Sequence, residues 1–296
     1  MQRAHLSLIT RGVLHAACAA LLLPALVATA APGVSSERNA QPQDEAQTDS
    51  SAAPGDRGKR GKDSGGSTEP LDPRERAAKL LKSRKSSEVR QGLSLYGGLR
   101  DKAAAKVLMR FIRRSKNDAL RVHAIGALSW NGHTAAVAFL SGSQGMASRR
   151  PAVVAAACAG LARVGDKSAS KVLFAAVTSQ HAPVVVAATK ALAALDPASA
   201  SLPPLLSFLL DHASQDVRQQ AVVSLRTSFD RECVKALVRQ LTRESASVVR
   251  KEICATLGTV GGKAAATALQ KAAADDADKS VRAAARAAAA KLTTVK

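Results

Sequence analysis

A repeat of about thirty-two residues governs this chain from residue 73 to its end. An apolar residue, usually followed by Arg, recurs at Val89-Arg90, Leu120-Arg121, Val153, Val184, Val217-Arg218, Val249-Arg250 and Val281-Arg282, in steps of 31, 33, 31, 33, 32 and 32 residues. A period of this length marks a stack of supersecondary units, each of which can bury its apolar face only against its neighbours.

Two helices fit in each unit. The first, helix A, shows apolar positions at helical spacing, as in Val153, Ala157, Gly160 and Leu161 or Val217, Ala221 and Leu225. A break follows at Gly97-Gly98, Asn131-Gly132, Gly165-Asp166, Asp196-Pro197, Asp230 and Gly261-Gly262. Gly accepts the left-handed backbone that ends a helix, and Asp or Asn caps the next one. Helix B then runs with an apolar face of its own, as in Val107, Leu108, Phe111 and Ile112 or Val234, Leu237, Val238 and Leu241.

Composition agrees with such a stack. Apolar residues make up 46% of the 296 residues but aromatic ones only 2%, so the core is built from Ala, Val and Leu, which suits helices in close contact and disfavours a β-sandwich or barrel. The expected fold is all-α: an α-solenoid of about seven two-helix units and about fourteen helices, counting one opening helix, seven A helices and six B helices. Asp72 as N-cap, Pro73 at N1 and Glu75 at N3 read as a capping box for the opening helix, which would cover the first open face. The last A helix, Ser280 to Lys291, would keep its outer side wet with Arg282, Arg286 and Lys291. Repeats 3 and 4 depart from the pattern, with Val154 and Val185 where Arg is usual. Pro203-Pro204 in helix B of repeat 4 predicts a shorter or kinked helix and a bend in the stack.

The run Val153, Ala157, Leu161, Gly165-Asp166, Ala169 and Leu173, echoed in the other units, resembles HEAT repeats, and is most similar to the short bacterial variety named after phycobilin lyases. The resemblance covers residues 73–296. It implies an α-solenoid, and such repeats serve as scaffolds in transport, chromatin, enzyme regulation and pigment attachment, so the fold leaves the function open. Thioether attachment of a bilin, the activity suggested by the name of that variety, requires a pigment-bearing organism.

Ahead of the repeats lie two segments of different character. Residues 1–30 read as a cleaved secretory signal: Arg3 and Arg11 precede an apolar run from Gly12 to Val27, and Ala28-Thr29-Ala30 supplies small residues for cleavage. A membrane anchor is the alternative, but the run is interrupted by His15 and Pro24 and falls short of the roughly 20 apolar residues of a span. Residues 31–71 read as a disordered linker, rich in Pro, Ser, Gly, Gln and charge. The solenoid occupies 72–296, and the mature chain is expected to lack a transmembrane segment and to reside in the periplasm or outside the cell.

No catalytic constellation is present. His123, His133, His181 and His212 stand apart from one another, and no Gly-x-Ser-x-Gly elbow or phosphate loop occurs. The expectation is therefore no enzyme, no cofactor and no metal site. Of the three cysteines beyond the signal, Cys158 and Cys254 share one register of helix A and read as core fillers. An oxidising compartment would allow a Cys233–Cys254 bridge, because helix B of repeat 5 should pack on helix A of repeat 6.

Charge is what points to a partner. The chain carries +20, and residues 73–296 alone carry +21. Helix B generally lines the concave side of such solenoids. Aligning the B helices on Leu108, Leu173, Leu237 and Leu269 brings Lys106, Lys171 and Lys235 into one register and Arg110, Arg239 and Lys271 into another, one turn on. Arg113, Arg114, Arg149 and Arg150 extend the positive character near the first repeats. A solvated helix face is the alternative for any one of these side chains. Six of them on duplex phosphates would give a salt slope of about −5, but export sets nucleic acid aside, and one Trp and one Tyr provide no stacking platform for single strands. Three functions follow: an exported scaffold binding a protein partner through the basic concave face, electrostatic binding of an anionic envelope polymer or membrane surface, or an accessory subunit of an envelope enzyme.

The repeat also makes a prediction about the core. Leu161→Ala should cost about 2 to 5 kcal/mol in denaturant unfolding if that residue is buried between repeats.

Overall fold

The apolar residues of each unit do lie along one side of two successive helices, and the computed structural model, which describes residues 72–227 and 231–294, contains fourteen α-helices and no strand among them. The opening helix is α1 (Pro73–Leu81). The A helices are α2 (Ser86–Gly98), α4 (Asp118–Asn131), α6 (Pro151–Val164), α8 (Ala182–Leu195), α10 (Gln215–Leu225), α12 (Ser247–Val260) and α14 (Lys279–Thr294). The B helices are α3 (Lys102–Arg114), α5 (Ala135–Ser141), α7 (Ser170–Ala176, led by a 3₁₀ turn at Lys167–Ala169), α9 (Leu202–Leu209), α11 (Arg231–Arg243) and α13 (Lys263–Asp275). The opening helix, seven A helices and six B helices are those the period predicts. The proposed signal and linker, residues 1–71, and Asp230 lie outside the described residues. None of the described helices is long and apolar enough to cross a membrane.

Successive A helices pack side by side along the whole series, and α1 packs on α2 as the cover of the first open face. Small residues make this closeness possible. A Cβ on Gly97 would stand 2.9 Å from the carbonyl oxygen of Ala127 in the next A helix, and one on Gly258 would stand 2.7 Å from the Cβ of Ala288. In repeats 2 to 7 the matching register carries Ala127, Gly160, Ala191, Ser224, Thr256 and Ala288, none larger than threonine, which explains why a core of this size needs so few aromatic rings. Leu161 is fully buried in this row, as are Ala157 and Cys158. Each B helix packs mainly on the A helix that follows it, and each carries one leucine without exposed surface: Leu108, Leu140, Leu173, Leu206, Leu237 and Leu269.

The helix stops follow the expected chemistry in most units. Gly132 and Gly165 end α4 and α6 with φ of 73° and 79°, and Asp101 caps α3 by accepting from the Ala104 N–H at 2.9 Å. Three details differ. Gly97 is a packing residue inside α2 and not a stop, so that helix runs through Gly98 and Arg100 takes the positive φ of 50°. Asn131 supports that strained turn: with its amide oxygen facing the loop, it accepts from the Arg100 and Asp101 N–H groups at 3.3 and 3.2 Å. The capping box at Asp72 does not form, because its carboxylate bonds no helix N–H and only its carbonyl accepts, from Arg76 at 2.9 Å. Finally, Pro203 and Pro204 lie in the first turn of α9, where no N–H is needed, so the helix is short but not kinked there.

Gly258→Ala is therefore expected to destabilise the stack by about 1 to 3 kcal/mol through overpacking. Gly98→Ala, where a Cβ meets nothing within 4 Å, should stabilise α2 by up to about 1 kcal/mol. Urea unfolding of the two variants beside the parent checks both signs.

Candidate functional site: the helix-B face

Two steps along a helix turn a side chain by about 200°, so the residues two before and two after each buried leucine point away from the core. These two outward rows make up the exposed side of the B helices. The first reads Lys106, Ala138, Lys171, Pro204, Lys235, Thr267 and the second Arg110, Gly142, Ala175, Phe208, Arg239, Lys271 from repeat 1 to repeat 6. All six basic residues expected there are exposed. Lys235 pairs with Glu232 one turn back at 2.8 Å, whereas Lys106, Arg110, Lys171, Arg239 and Lys271 make no ion pair with the described residues.

The six do not form an unbroken stripe. Lys106 and Arg110 share α3, and Lys235, Arg239 and Lys271 lie on the adjacent helices α11 and α13. Between these ends, α5 and α9 carry no charged residue at all, and Lys171 stands alone on α7. The second row has Phe208 at its centre, 75% exposed. Of the other arginines read as part of the positive surface, Arg113 stacks on the Phe139 ring at 5.2 Å and Arg150 pairs with Asp118, so both serve contacts between repeats.

The B row is more open than the A row. Its helices touch one another at few points, and grooves lie between them. Lys271 rims a cavity of about 890 Å³ between α11 and α13, floored by Val238, Leu241 and Ala268. Arg110 rims another of about 470 Å³ beside Val107 and Phe111. A third, of about 450 Å³, opens on repeats 2 to 4 and is lined by Met146, Val154, Val172 and Val184 together with Arg149 and His181.

In the last three repeats the arginine after the marker residue has a role that the sequence reading missed. Arg218 grips Glu244 through Nε and Nη2 at 2.8 and 2.7 Å, while its Nη1 donates to the carbonyls of His212 and Ala213. Arg250 repeats the arrangement with Asp276, at 2.8 and 2.9 Å, and with the carbonyls of Glu244 and Ser245. Arg282 donates to the carbonyls of Asp276 and Ala277, so it is not simply the solvent-facing residue expected of the last helix. Each of these guanidinium groups thus closes the turn before its own helix, and those of Arg218 and Arg250 also fasten it to the next turn in a bidentate, charge-assisted geometry. The signal available in sequence is an acidic residue 26 positions after the arginine, Glu244 after Arg218 and Asp276 after Arg250. Repeats 3 and 4 lack the arginine, repeats 1 and 2 have Lys116 and Ala147 where the acidic residue would stand, and Val154 faces the third groove.

The remaining polar chemistry is structural. His123 Nε2 lies 3.0 Å from Ser94 Oγ and 3.1 Å from the Arg90 carbonyl, bridging α2 and α4. His133 and His212 each accept a backbone N–H two residues on. Burial pushes the Cys158 thiol up to about 12 and that of Cys254 up to about 11, so neither is a nucleophile at neutral pH. Cys254 carries a free, buried thiol, so the Cys233–Cys254 bridge is not formed. No group of three metal-ligating side chains occurs among the described residues.

The chain matches HEAT repeats over residues 143–226 and 202–290 and belongs to that family. An Escherichia coli protein, YibA, is similar at 15% identity, with 75% of this chain and 81% of that chain covered and a TM-score of 0.53. The complex of CpcE and CpcF of phycocyanin lyase from Nostoc sp. PCC7120 is similar at 20% identity, with 80% of this chain and 98% of that chain covered and a TM-score of 0.46. At such identities the likeness is one of fold. No curated protein matches the sequence. A repeat solenoid of this kind offers a long surface suited to binding other proteins.

The clamp makes stability depend on acid. Burial alone would raise the Glu244 carboxyl, but bonds from Arg218, the Ala246 N–H and Gln240 outweigh it and hold the group down from 4.5 to about 2. Its contribution is present above pH 4.5 and is lost as the pH falls toward 2. Thermal melts should show stability falling through that window, less steeply in Glu244→Gln. That variant should also lose about 3 kcal/mol at pH 7, because Arg218 is left without its partner.

Proposed function

We propose that this protein is an exported, non-enzymatic scaffold that binds a partner protein through its helix-B face. The observation that carries the reading is a surface of outward-facing basic residues, five of which have no described carboxylate paired with them, set beside open grooves. A surface that needed its cations for its own stability would pair them, as the Arg218 and Arg250 clamps do. Arg3, Arg11, the apolar run to Val27 and Ala28-Thr29-Ala30 support export, and the same charge sets the preferred partner as acidic.

The +21 carried by residues 73–296 also favours a second reading, electrostatic attachment to an anionic envelope polymer or membrane surface. Salt separates the two. A protein interface with an apolar centre persists at about 0.5 M salt, where the Debye length has fallen to a few ångströms, whereas a polyanion contact is lost. A third reading, an accessory subunit of an envelope enzyme, places the catalysis in the partner.

Replacing Lys106, Lys171 and Lys235 together by Glu should abolish capture of the partner from envelope extract, with an unchanged melting curve, because all three side chains are exposed. Capture by the triple variant at the parent's level, measured with the full chain as bait at low and high salt, would exclude the B face as the binding surface.

A further inference from the structure

The middle of the B face is built differently from its ends, and the departures from the repeat pattern gather there. Repeats 3 and 4 have Val154 and Val185 in place of the clamping arginine. Helices α5 and α9 carry no charge. Phe208 occupies the outward register that holds Arg110, Arg239 and Lys271 in repeats 1, 5 and 6, and stands 75% exposed. One B helix before it, in the same register, Ala175 is exposed and lines the groove of about 450 Å³, whose wall is apolar at Met146, Val154, Val172 and Val184 and which Arg149 and His181 also line. A large exposed ring costs solubility, and Phe208 does not serve the fold, because the leucine two residues before it is already buried on α9.

Resting on the reading of the B face as a docking surface, we infer that repeats 2 to 4 are its apolar anchor site. The occupant is an extended acidic segment of a partner protein, with an aromatic or long aliphatic side chain in its middle. Charge complementarity selects this occupant. Lys106 and Arg110 at one end, Lys235, Arg239 and Lys271 at the other, and Lys171 and Arg149 between them would hold carboxylates, while the apolar side chain lies against Phe208 and the apolar wall of the groove. An apolar centre inside a charged rim is the usual anatomy of a protein interface, with the aromatic residue as the anchor. The size agrees: four B-helix spacings of about 10 Å separate Lys106 from Lys235, a span of about 40 Å, or about twelve extended residues. A polysaccharide or lipid headgroup would match the rim and leave the centre unused.

The test uses the full chain and two fluorescent peptides of about fourteen residues. Both carry four glutamates at each end; one has a Phe-Leu pair in the middle and the other has serines there. The apolar-centred peptide should bind about tenfold more tightly, the gain expected from burying one large apolar side chain. Phe208→Ser should remove that advantage and leave the serine-centred peptide's affinity as it was, with an unchanged circular dichroism melt. Equal affinities, or an advantage that survives both Phe208→Ser and Ala175→Glu, would overturn the anchor site. The basic-face reading would still hold in that case, provided that Lys106, Lys235 and Lys271 replaced by Glu weaken both peptides. Binding of neither peptide at about 0.1 M salt would overturn both.

Discussion

The close approach of the A helices is the interaction on which the rest of this structure depends. Where Gly97 meets Ala127 and Gly258 meets Ala288, no room remains for even one methyl group. Such contact gains dispersion energy along a whole helix and needs no bulky side chain to fill a gap. It also propagates. Each A helix is fastened to the one before and the one after, so the stack grows by addition and is covered at its start by α1.

The B row inherits its character from that constraint. With the A helices drawn together by small residues, the B helices need only dock on the A helix that follows each of them, and grooves remain between them. Their outward registers are relieved of any packing duty and can differ from repeat to repeat at no cost to the fold. That freedom is where function can be written. Basic residues cluster at the ends of the face, while its middle, with Phe208, carries Lys171 alone as a charge in the outward rows.

Turns between units are not all held alike. In the last three repeats Arg218, Arg250 and Arg282 bond the carbonyls of the turn that precedes them, and the first two also grip the acidic residue of the next turn. These pairs are nearly buried, so each depends on both partners, and the bidentate geometry together with the carbonyl contacts offsets the desolvation of the guanidinium. In repeats 3 and 4 valine replaces arginine: Val154 lines a groove, and Val185 is buried in the core.

Much of this was legible in the residues alone. The period, the seven A and six B helices, the leucines that dock helix B and the exposure of Lys106, Arg110, Lys171, Lys235, Arg239 and Lys271 all follow from helical geometry, because spacing along one helix determines which side a residue faces. Partners across repeats were not legible in the same way. That Arg218 would reach Glu244, that Gly97 would pack inside a helix and not end it, and that the carboxylate of Asp72 would leave its helix uncapped depend on distances between segments far apart in the chain. Only the assembled stack sets those distances. The same holds for the face as a whole: the cations could be counted from the sequence, but their division into two basic ends around Phe208 and a groove emerged once neighbouring helices stood side by side.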